Sequence, residues 1–199
     1  MKKTLLTLAA AAAVTAFGAV SAEAKVKACF IYVGPIGDFG WSYQHHQGAL
    51  EAQKELGGEE NVELAYLESV PEGADAERAL ERFARSGCNI IFTTSFGYMD
   101  ATNKVAGKFP DVKFEHATGF KREHPNISTY NSKFHEGRYV QGVIAAKMSK
   151  AGVAGYIASF PIPEVVLGIN AFMLGAQSVN PDFKVKVVWA NTWFDPGKE

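Results

Sequence analysis

Residues 25–58 read KVKACFIYVGPIGDFGWSYQHHQGALEAQKELGG. The stretch opens with a continuous apolar run that is typical of a buried strand. It closes with Ala49, Ala52 and Leu56 at helical spacing, followed by two glycines that would end a helix. A glycine-rich loop, VGPIGDFG, joins the two segments. This order predicts the first unit of an α/β fold, with the loop at the carboxyl end of a parallel strand.

The alternation of strand and helix continues along the chain. Predicted strands NVELAYLES, NIIFTTSF and VKFEHATG alternate with predicted helices ADAERALERFARSG and YMDATNKVAGKF. An irregular stretch over residues 120–136 leads into the helix EGRYVQGVIAAKMSKAG. The pattern then restarts with strand VAGYIASF, helix EVVLGINAFMLGAQSVN and strand KVKVVWAN. Such a series predicts parallel sheets that are covered by helices on both faces, which is a doubly wound α/β fold.

The restart near Gly152 divides the chain into two lobes. We expect an N-terminal α/β lobe over residues 25–150 and the start of a second α/β lobe over residues 151–199. The second lobe has too few predicted elements to cover a sheet on both faces, so we expect the sequence to be a fragment. In the last helix of the first lobe we expect a buried stripe formed by Tyr139, Val143, Ile144, Ala146 and Met148.

Residues 1–24 have the features of a cleavable export signal. Two lysines precede an apolar run, and the sequence AEA at 22–24 fits the small–x–small pattern of a cleavage site. We therefore expect an exported protein, periplasmic in an organism with two membranes. Without residues 1–24 the chain carries 18 basic and 20 acidic residues. It lacks the basic surplus with which proteins bind nucleic acid or anionic lipid.

The two cysteines raise the question of a disulfide in an exported protein. Cys29 lies inside the first predicted strand, and Cys88 lies just before the third. Even if those strands are neighbours, the two residues are offset by several positions, whereas a disulfide tolerates only a short Cα separation. We expect two buried free thiols.

The glycine-rich loop does not fit a nucleotide-binding site. Its glycines at 34, 37 and 40 miss the G-x-G-x-x-G spacing, and Asp38 would place a negative charge where a pyrophosphate must bind. Asp38 could instead satisfy backbone amides at the start of the helix, or accept hydrogen bonds from a ligand. Trp41 could be a core residue or could line a cleft.

The strand ends supply the other candidate ligand-binding residues. In open α/β sheets, ligands bind beyond the carboxyl ends of the strands. The residues that we expect to bind ligand there are Asp38, Trp41, Ser42, Ser95, Phe96 and Trp193. An aromatic side chain from each lobe could stack on a planar ring, an interaction worth roughly 1–3 kcal/mol per base.

Motifs of catalysis are missing from the sequence. It contains no G-x-x-x-x-G-K-[ST], no G-x-S-x-G and no H-E-x-x-H, and it shows no nucleophile arranged with a base. We therefore predict a binding protein, with no catalytic residue, metal or cofactor.

Four segments carry a family resemblance: GPIGDFGWSYQHHQGAL, NIIFTTSFGYMDATNKVAGKFPDVKF, the stretch from FHEGRYVQG to INAFMLGA, and VVWANTWFDPGKE. Together they resemble the basic membrane protein family of exported solute-binding proteins, which includes purine-nucleoside receptors of ABC importers. The resemblance covers essentially all of residues 25–199. It implies a type I periplasmic binding protein fold, with two doubly wound lobes joined by three crossovers and a ligand held between them.

The resemblance also implies roles for individual residues. The aspartate, aromatic and polar residue of the family's opening motif correspond to Asp38, Trp41 and Ser42, and its second stacking aromatic corresponds to Trp193. Both stacking residues are commonly phenylalanine in the family, so two tryptophans depart from the pattern and would favour a free base over a nucleoside. Ser42 replaces a frequent asparagine, which puts recognition of a ribose in doubt. The family's remaining polar contacts would lie beyond Glu199, so residues 25–199 alone should bind weakly.

The resulting prediction is the periplasmic receptor of an ABC importer, a monomer that binds a purine base or nucleoside and passes it to a permease in the inner membrane. A sugar or autoinducer receptor of the same fold is the alternative, because tryptophan also stacks on sugar faces and aspartate also binds hydroxyls. An exported nucleotide-dependent oxidoreductase using residues 34–68 is a remote third reading.

Overall fold

The computed structural model describes residues 24–198, which form two parallel β-sheets with helices packed against them. The predicted export signal lies, except for Ala24, outside the described residues. The alternation of strands and helices predicted from the sequence is confirmed. Among residues 24–198, no helix combines the length and the apolarity that a bilayer crossing requires.

The first sheet has five strands in the order β2-β1-β3-β4-β5, all parallel. In chain order its elements are β1 (Val26–Ile31), α1 (Trp41–Glu55), β2 (Val62–Leu67), α2 (Ala74–Arg85), β3 (Ile90–Thr93), α3 (Met99–Lys108), β4 (Lys113–Ala117) and β5 (Ile127–Tyr130). Helices α2 and α3 cover one face, where Leu80 and Val105 pack with Ile91, and α1 covers the other, where Ala49 packs with Phe30. Alternation of side chains along each strand fills both cores.

Strand β5 lies in the stretch that the sequence analysis treats as irregular. It is short, and only Ile127 among its four residues is buried, so the apolar pattern that predicts a strand is missing. A polar residue anchors it instead. The amide nitrogen of the buried Asn126 lies 2.8–3.1 Å from the carbonyl oxygens of Ala106, Phe109 and Val112. These contacts attach the start of β5 to the end of α3 and the start of β4.

The second sheet pairs two parallel strands and packs against two helices. Its elements are α4 (Phe134–Met148), β6 (Val153–Ala158), α5 (Pro163–Gln177) and β7 (Lys184–Trp189). Helix α4, which the sequence analysis assigns to the first lobe, contributes Ala146 to the core beneath this second sheet, together with Ala176 and Phe183. The lobe boundary expected at residue 150 stays a prediction, and the packing of α4 favours a boundary before Phe134.

The expected buried stripe on α4 is wrong except at Ala146, which is buried as predicted. Tyr139, Ile144 and Met148 are exposed, and the buried residues of α4 are Gly142 and Ala146. The reason is a close approach of backbones between α4 and α5. A Cβ atom on Gly142 would lie 1.9 Å from the carbonyl oxygen of Phe172, far inside any normal contact distance. Small residues therefore occupy the contact with α5, and large apolar residues of α4 stay exposed.

The expectation of two free thiols is also wrong, because Cys29 and Cys88 form a disulfide. In the strand register Cys29 lies beside Ile91, three residues beyond Cys88. However, Cys88 precedes β3 and follows Gly87, whose φ of +84° turns the chain sharply after α2. This turn brings the two Cα atoms to 6.0 Å, within the range of disulfides. The register along the strands does not describe a residue that lies outside them.

We expect the disulfide to stabilise the first sheet. Replacing both Cys29 and Cys88 with alanine should lower the free energy of unfolding by roughly 2–5 kcal/mol, mainly because the unfolded chain gains freedom. Urea denaturation with and without reductant measures this change. The double variant is its own control, since reductant should destabilise the wild-type chain and leave the variant unchanged. Equal stability of the two proteins under oxidising conditions would contradict the prediction.

The contact between α4 and α5 yields a second prediction. Gly142→Ala should lower the free energy of unfolding by about 1–3 kcal/mol or more, because the new methyl group meets the backbone of α5. Gly137→Ala is the matched control on the same helix, since a Cβ atom there meets nothing within 4 Å. It should be neutral or stabilising by up to about 1 kcal/mol. Similar effects of the two substitutions in thermal or urea unfolding would refute the close contact.

Candidate functional site

A cavity of about 80 Å³ lies between the carboxyl ends of the first-sheet strands and the loops of the second unit. Its lining contains all of the predicted ligand-binding residues, namely Asp38, Trp41, Ser42, Ser95, Phe96 and Trp193. The remaining lining residues are Val33, Gly34, Thr118, Glu164 and Phe194. Most of these residues follow the end of a strand or begin a helix, which is where the strand-end rule for α/β sheets places a ligand site.

Asp38 closes the amino-terminal end of α1. Its carboxylate accepts hydrogen bonds from the backbone N–H groups of Gly40 (2.8 Å), Ser42 (3.0 Å) and Tyr43 (3.0 Å). Gly40, the residue before the helix, has no side chain to cap it, so Asp38 satisfies the free amides from two positions earlier. Burial raises the pKa of Asp38, but the hydrogen bonds from the three amides and from the Ser42 hydroxyl outweigh it, and the pKa is lowered overall.

Ser42 is fully buried and holds the loop in place. Its Oγ accepts a hydrogen bond from the N–H of Gly34 (3.2 Å), and its hydroxyl also interacts with Asp38. With the three backbone donors, this interaction occupies the roughly four acceptor positions of the Asp38 carboxylate. The geometry therefore shows a structural role for both residues, and their ligand-binding role stays a prediction.

The two tryptophans line the cavity from separate units. The indole N–H of Trp41 donates to the carbonyl oxygen of Thr94 (2.5 Å), which fixes the ring, and the ring of His45 lies 4.5 Å from it between centroids. Trp193 is 36% exposed, and its ring lies 5.1 Å from that of Phe160 between centroids. Within residues 24–198 the two indoles make no ring contact with each other.

The loop after β3 adds Ser95 and Phe96. The Ser95 hydroxyl donates to the Glu72 carboxylate at 2.6 Å. The same carboxylate covers Gly97, where a Cβ atom would lie 2.0 Å from the carboxyl carbon of Glu72. Glu72 was not among the predicted residues, because it lies in the loop before α2 and the strand-end rule does not point to it. The Phe96 ring packs near Phe120, with 6.5 Å between centroids.

Two further cavity residues, Thr118 and Glu164, were missed by the sequence analysis. Thr118 follows β4 and adopts a φ of +68°, and Glu164 is in the first turn of α5. The Oγ1 atom of Thr118 and the Oε2 atom of Glu164 are buried without a hydrogen-bond partner in the part of the chain described. Burial raises the pKa of Glu164, and the nearby Thr118 hydroxyl offsets this only in part. The sequence offered only their positions as a signal, because Thr118 follows a strand and Glu164 begins a helix.

A larger space of about 590 Å³ lies on the other side of Trp41. It is lined mostly by apolar and aromatic groups, among them Phe30, Phe92, Tyr130 and Phe134. It offers few polar groups with which to recognise a ligand that has polar edges. No group of three or more His, Cys, Asp or Glu residues within 24–198 is arranged to hold a metal ion.

Comparisons with known proteins place the chain in one family. The model of the Bmp family, described as ABC transporter substrate-binding protein PnrA-like, matches residues 25–199. A purine-binding protein of Brucella abortus is 68% identical over 182 residues, covering 92% of this chain and 51% of the relative. A protein of Haloferax volcanii that is named for glucose binding in an ABC transporter is 41% identical over 179 residues, covering 90% of this chain and 44% of the relative.

A solved structure supports the same fold. The solute-binding protein of an ABC transporter system from Aeropyrum pernix matches with a TM-score of 0.75 at 26% identity, over 87% of this chain and 50% of that structure. The chain spans about half the length of the curated relatives described above. All three proteins are named for solute binding rather than for catalysis. The fold predicted from the sequence, a parallel-sheet α/β fold of the solute-binding class, is confirmed.

The capping role of Asp38 can be tested through stability. Asp38→Ala should lower the free energy of unfolding by about 1 kcal/mol at pH 7, the usual cost of losing a helix cap. Because the pKa of Asp38 is lowered by folding, the contribution is fully present above the ordinary pKa of an aspartate. It is lost as the pH falls through the lower folded-state pKa. Urea denaturation at several pH values measures both effects.

Asp111→Ala serves as the control for the loss of an aspartate, since Asp111 is exposed in the turn before β4. It should change stability little at any pH. An equal loss at positions 38 and 111, or a loss at position 38 that persists unchanged in acid, would contradict the capping role.

Proposed function

The chain belongs to the Bmp family of PnrA-like ABC transporter substrate-binding proteins, and from this membership we propose that it forms part of a receptor for a purine base or nucleoside. The observation that carries the proposal is the placement of Trp41 and Trp193, from separate units, on one cavity. Two aromatic faces of this kind suit a thin heterocycle, and stacking on each contributes roughly 1–3 kcal/mol.

The electrostatics of the loop favour an uncharged ligand. The amino-terminal end of a helix attracts anions, but here the Asp38 carboxylate already occupies that end of α1. A phosphate would meet a negative charge there, whereas a purine base or a nucleoside carries none. In this proposal Asp38 and Ser42 act mainly through the loop that they hold, with the carboxylate at the rim of the cavity.

The similarity to a purine-binding protein at 68% identity supports the same ligand class. A sugar receptor is the second candidate, because a relative at 41% identity is named for glucose binding and because tryptophan also stacks on sugar rings. Sugar recognition needs several acceptors for hydroxyl groups. The Asp38 carboxylate, with three backbone donors and the Ser42 hydroxyl already bound, has little capacity left for them.

The size of the cavity points to a moving cleft. At about 80 Å³ it is small beside the roughly 300–1,000 Å³ of ligand pockets for drug-sized molecules. A ligand would therefore enter by separation of the two units and be enclosed when they close, as in hinge-bending receptors. We further propose that the receptor is an exported monomer that presents its closed form to a membrane permease, without any covalent step.

The proposal is tested by calorimetry on the protein expressed at its full natural length. Adenine or adenosine should bind, and Trp41→Ala and Trp193→Ala should each weaken binding by about 1–3 kcal/mol, which is roughly 5- to 150-fold in Kd. Trp189→Ala is the matched control, because Trp189 is as exposed as Trp193, at 37%, but does not line the cavity.

Unchanged affinity in both Trp41→Ala and Trp193→Ala would refute the stacking arrangement. Binding of glucose but of no purine would replace the proposed ligand class with the second candidate.

A further inference from the structure

Two polar atoms that lack partners lie in the wall of the cavity, one from each unit. They are Oγ1 of Thr118, at the end of β4, and Oε2 of Glu164, in the first turn of α5. A buried polar atom without a hydrogen bond costs free energy, so native structures contain few of them. Two such atoms on a single cavity indicate that their partner is a molecule that enters it.

The two atoms are close, but they do not satisfy each other. The Thr118 hydroxyl is near enough to lower the pKa of Glu164 in part, yet the geometry falls short of a hydrogen bond. Thr118 is held in place by its own backbone, whose N–H donates to the carbonyl oxygen of Tyr130 at 2.8 Å. Its φ of +68° is unusual for a β-branched residue, and such strain is retained where the surrounding structure enforces it.

The other carboxylates beside the cavity are already engaged. Asp38 accepts three backbone hydrogen bonds, and Glu72 accepts one from the Ser95 hydroxyl. Glu164 differs from both, because one of its oxygen atoms is buried and unbonded. Of the acidic side chains that line the cavity among residues 24–198, Glu164 is therefore the one with spare hydrogen-bonding capacity.

We propose that Glu164, assisted by the Thr118 hydroxyl, reads the edge of the bound heterocycle by pairing with an N–H donor that stands beside a ring-nitrogen acceptor. This inference rests on the proposed function and names the group that gives it selectivity. The Glu164 carboxyl oxygen can accept from that N–H, and the Thr118 hydroxyl can donate to the ring nitrogen beside it, so the two groups together match a donor–acceptor edge such as that of adenine. A methyl group on that edge replaces a donor hydrogen or blocks the ring-nitrogen acceptor, and so weakens the pair.

The test measures adenine binding by calorimetry and thermal unfolding without ligand, both on the full natural-length protein. Glu164→Leu should weaken adenine binding about 10- to 100-fold, because the ligand's polar edge loses its partner. The same variant should unfold at an equal or higher temperature than wild type when no ligand is present, since it removes a buried atom without a partner. Glu164→Gln should retain most of the affinity, because its amide oxygen can accept the same N–H.

Two matched variants complete the set. Thr118→Val keeps the β-branched shape and the backbone strain but removes the hydroxyl, and it should weaken binding by a smaller factor of about 2- to 10-fold. Glu136→Leu makes the same substitution in the first turn of α4, where the carboxylate is exposed, and should leave adenine binding unchanged. Adenines methylated at N6, N7 or N9 then identify the edge that is read. The adenine that is methylated on this edge should bind wild type weakly, and the Glu164→Leu substitution should not weaken its binding further.

The outcomes separate this inference from the proposed function. If wild type binds no purine, the proposed function fails. If wild type binds adenine and Glu164→Leu binds it equally well, the proposed function stands and the role of Glu164 is refuted. A Glu164→Leu variant that loses thermal stability together with affinity would assign Glu164 a structural role and also overturn the inference, as would methylated adenines that are all affected equally by the substitution.

Discussion

The hydrogen bonds that the Asp38 carboxylate accepts at the start of α1 determine the geometry of the cavity. They fix the first turn of the helix, and with it the direction in which Trp41 leaves the backbone and the burial of Ser42 against Gly34. The backbone oxygen of Thr94 then locks the indole from the neighbouring strand end. Because the chain supplies its own anion at this helix end, the strongest electrostatic reason for a phosphate ligand is removed, and the site is left with aromatic faces and neutral hydrogen bonding.

The position of Glu164 depends on a different constraint, the close contact of α4 with α5. Helix α4 begins only a few residues after β5, and the ring of Phe134 at its start lies 6.1 Å from that of Trp41 between centroids. Gly142 and Gly175 allow the backbones of α4 and α5 to touch, so α5 follows α4 closely. The first turn of α5, which carries Glu164, is thereby held relative to the first sheet. Two glycines remote from the cavity thus help to place one of its polar groups.

The sequence predicts the parts of this structure that depend on local patterns. Apolar strands followed by amphipathic helices predict the parallel sheets, and the strand-end rule brings Asp38, Ser95 and Trp193 to one cavity. The features that it misses depend on contacts between distant segments. Strand β5 has one buried apolar residue, Ile127, and is otherwise anchored by the buried Asn126, and the disulfide depends on a turn at Gly87. The proposed role of Glu164, in the first turn of α5, can be inferred only from the structure, which shows what surrounds its carboxylate oxygen atoms.

The polar groups of the cavity differ in how much hydrogen-bonding capacity the protein itself leaves unused. In the proposed receptor this difference separates the residues that stack on the ligand from those that select it. The indole N–H of Trp41 is bound to Thr94 and is not available to a ligand, so in the proposed receptor this ring contributes stacking, which suits many flat ligands. The Asp38 carboxylate is filled by donors of its own chain. In the proposed receptor, selectivity comes from groups that remain unbonded until a ligand arrives, and Thr118 and Glu164 meet that condition.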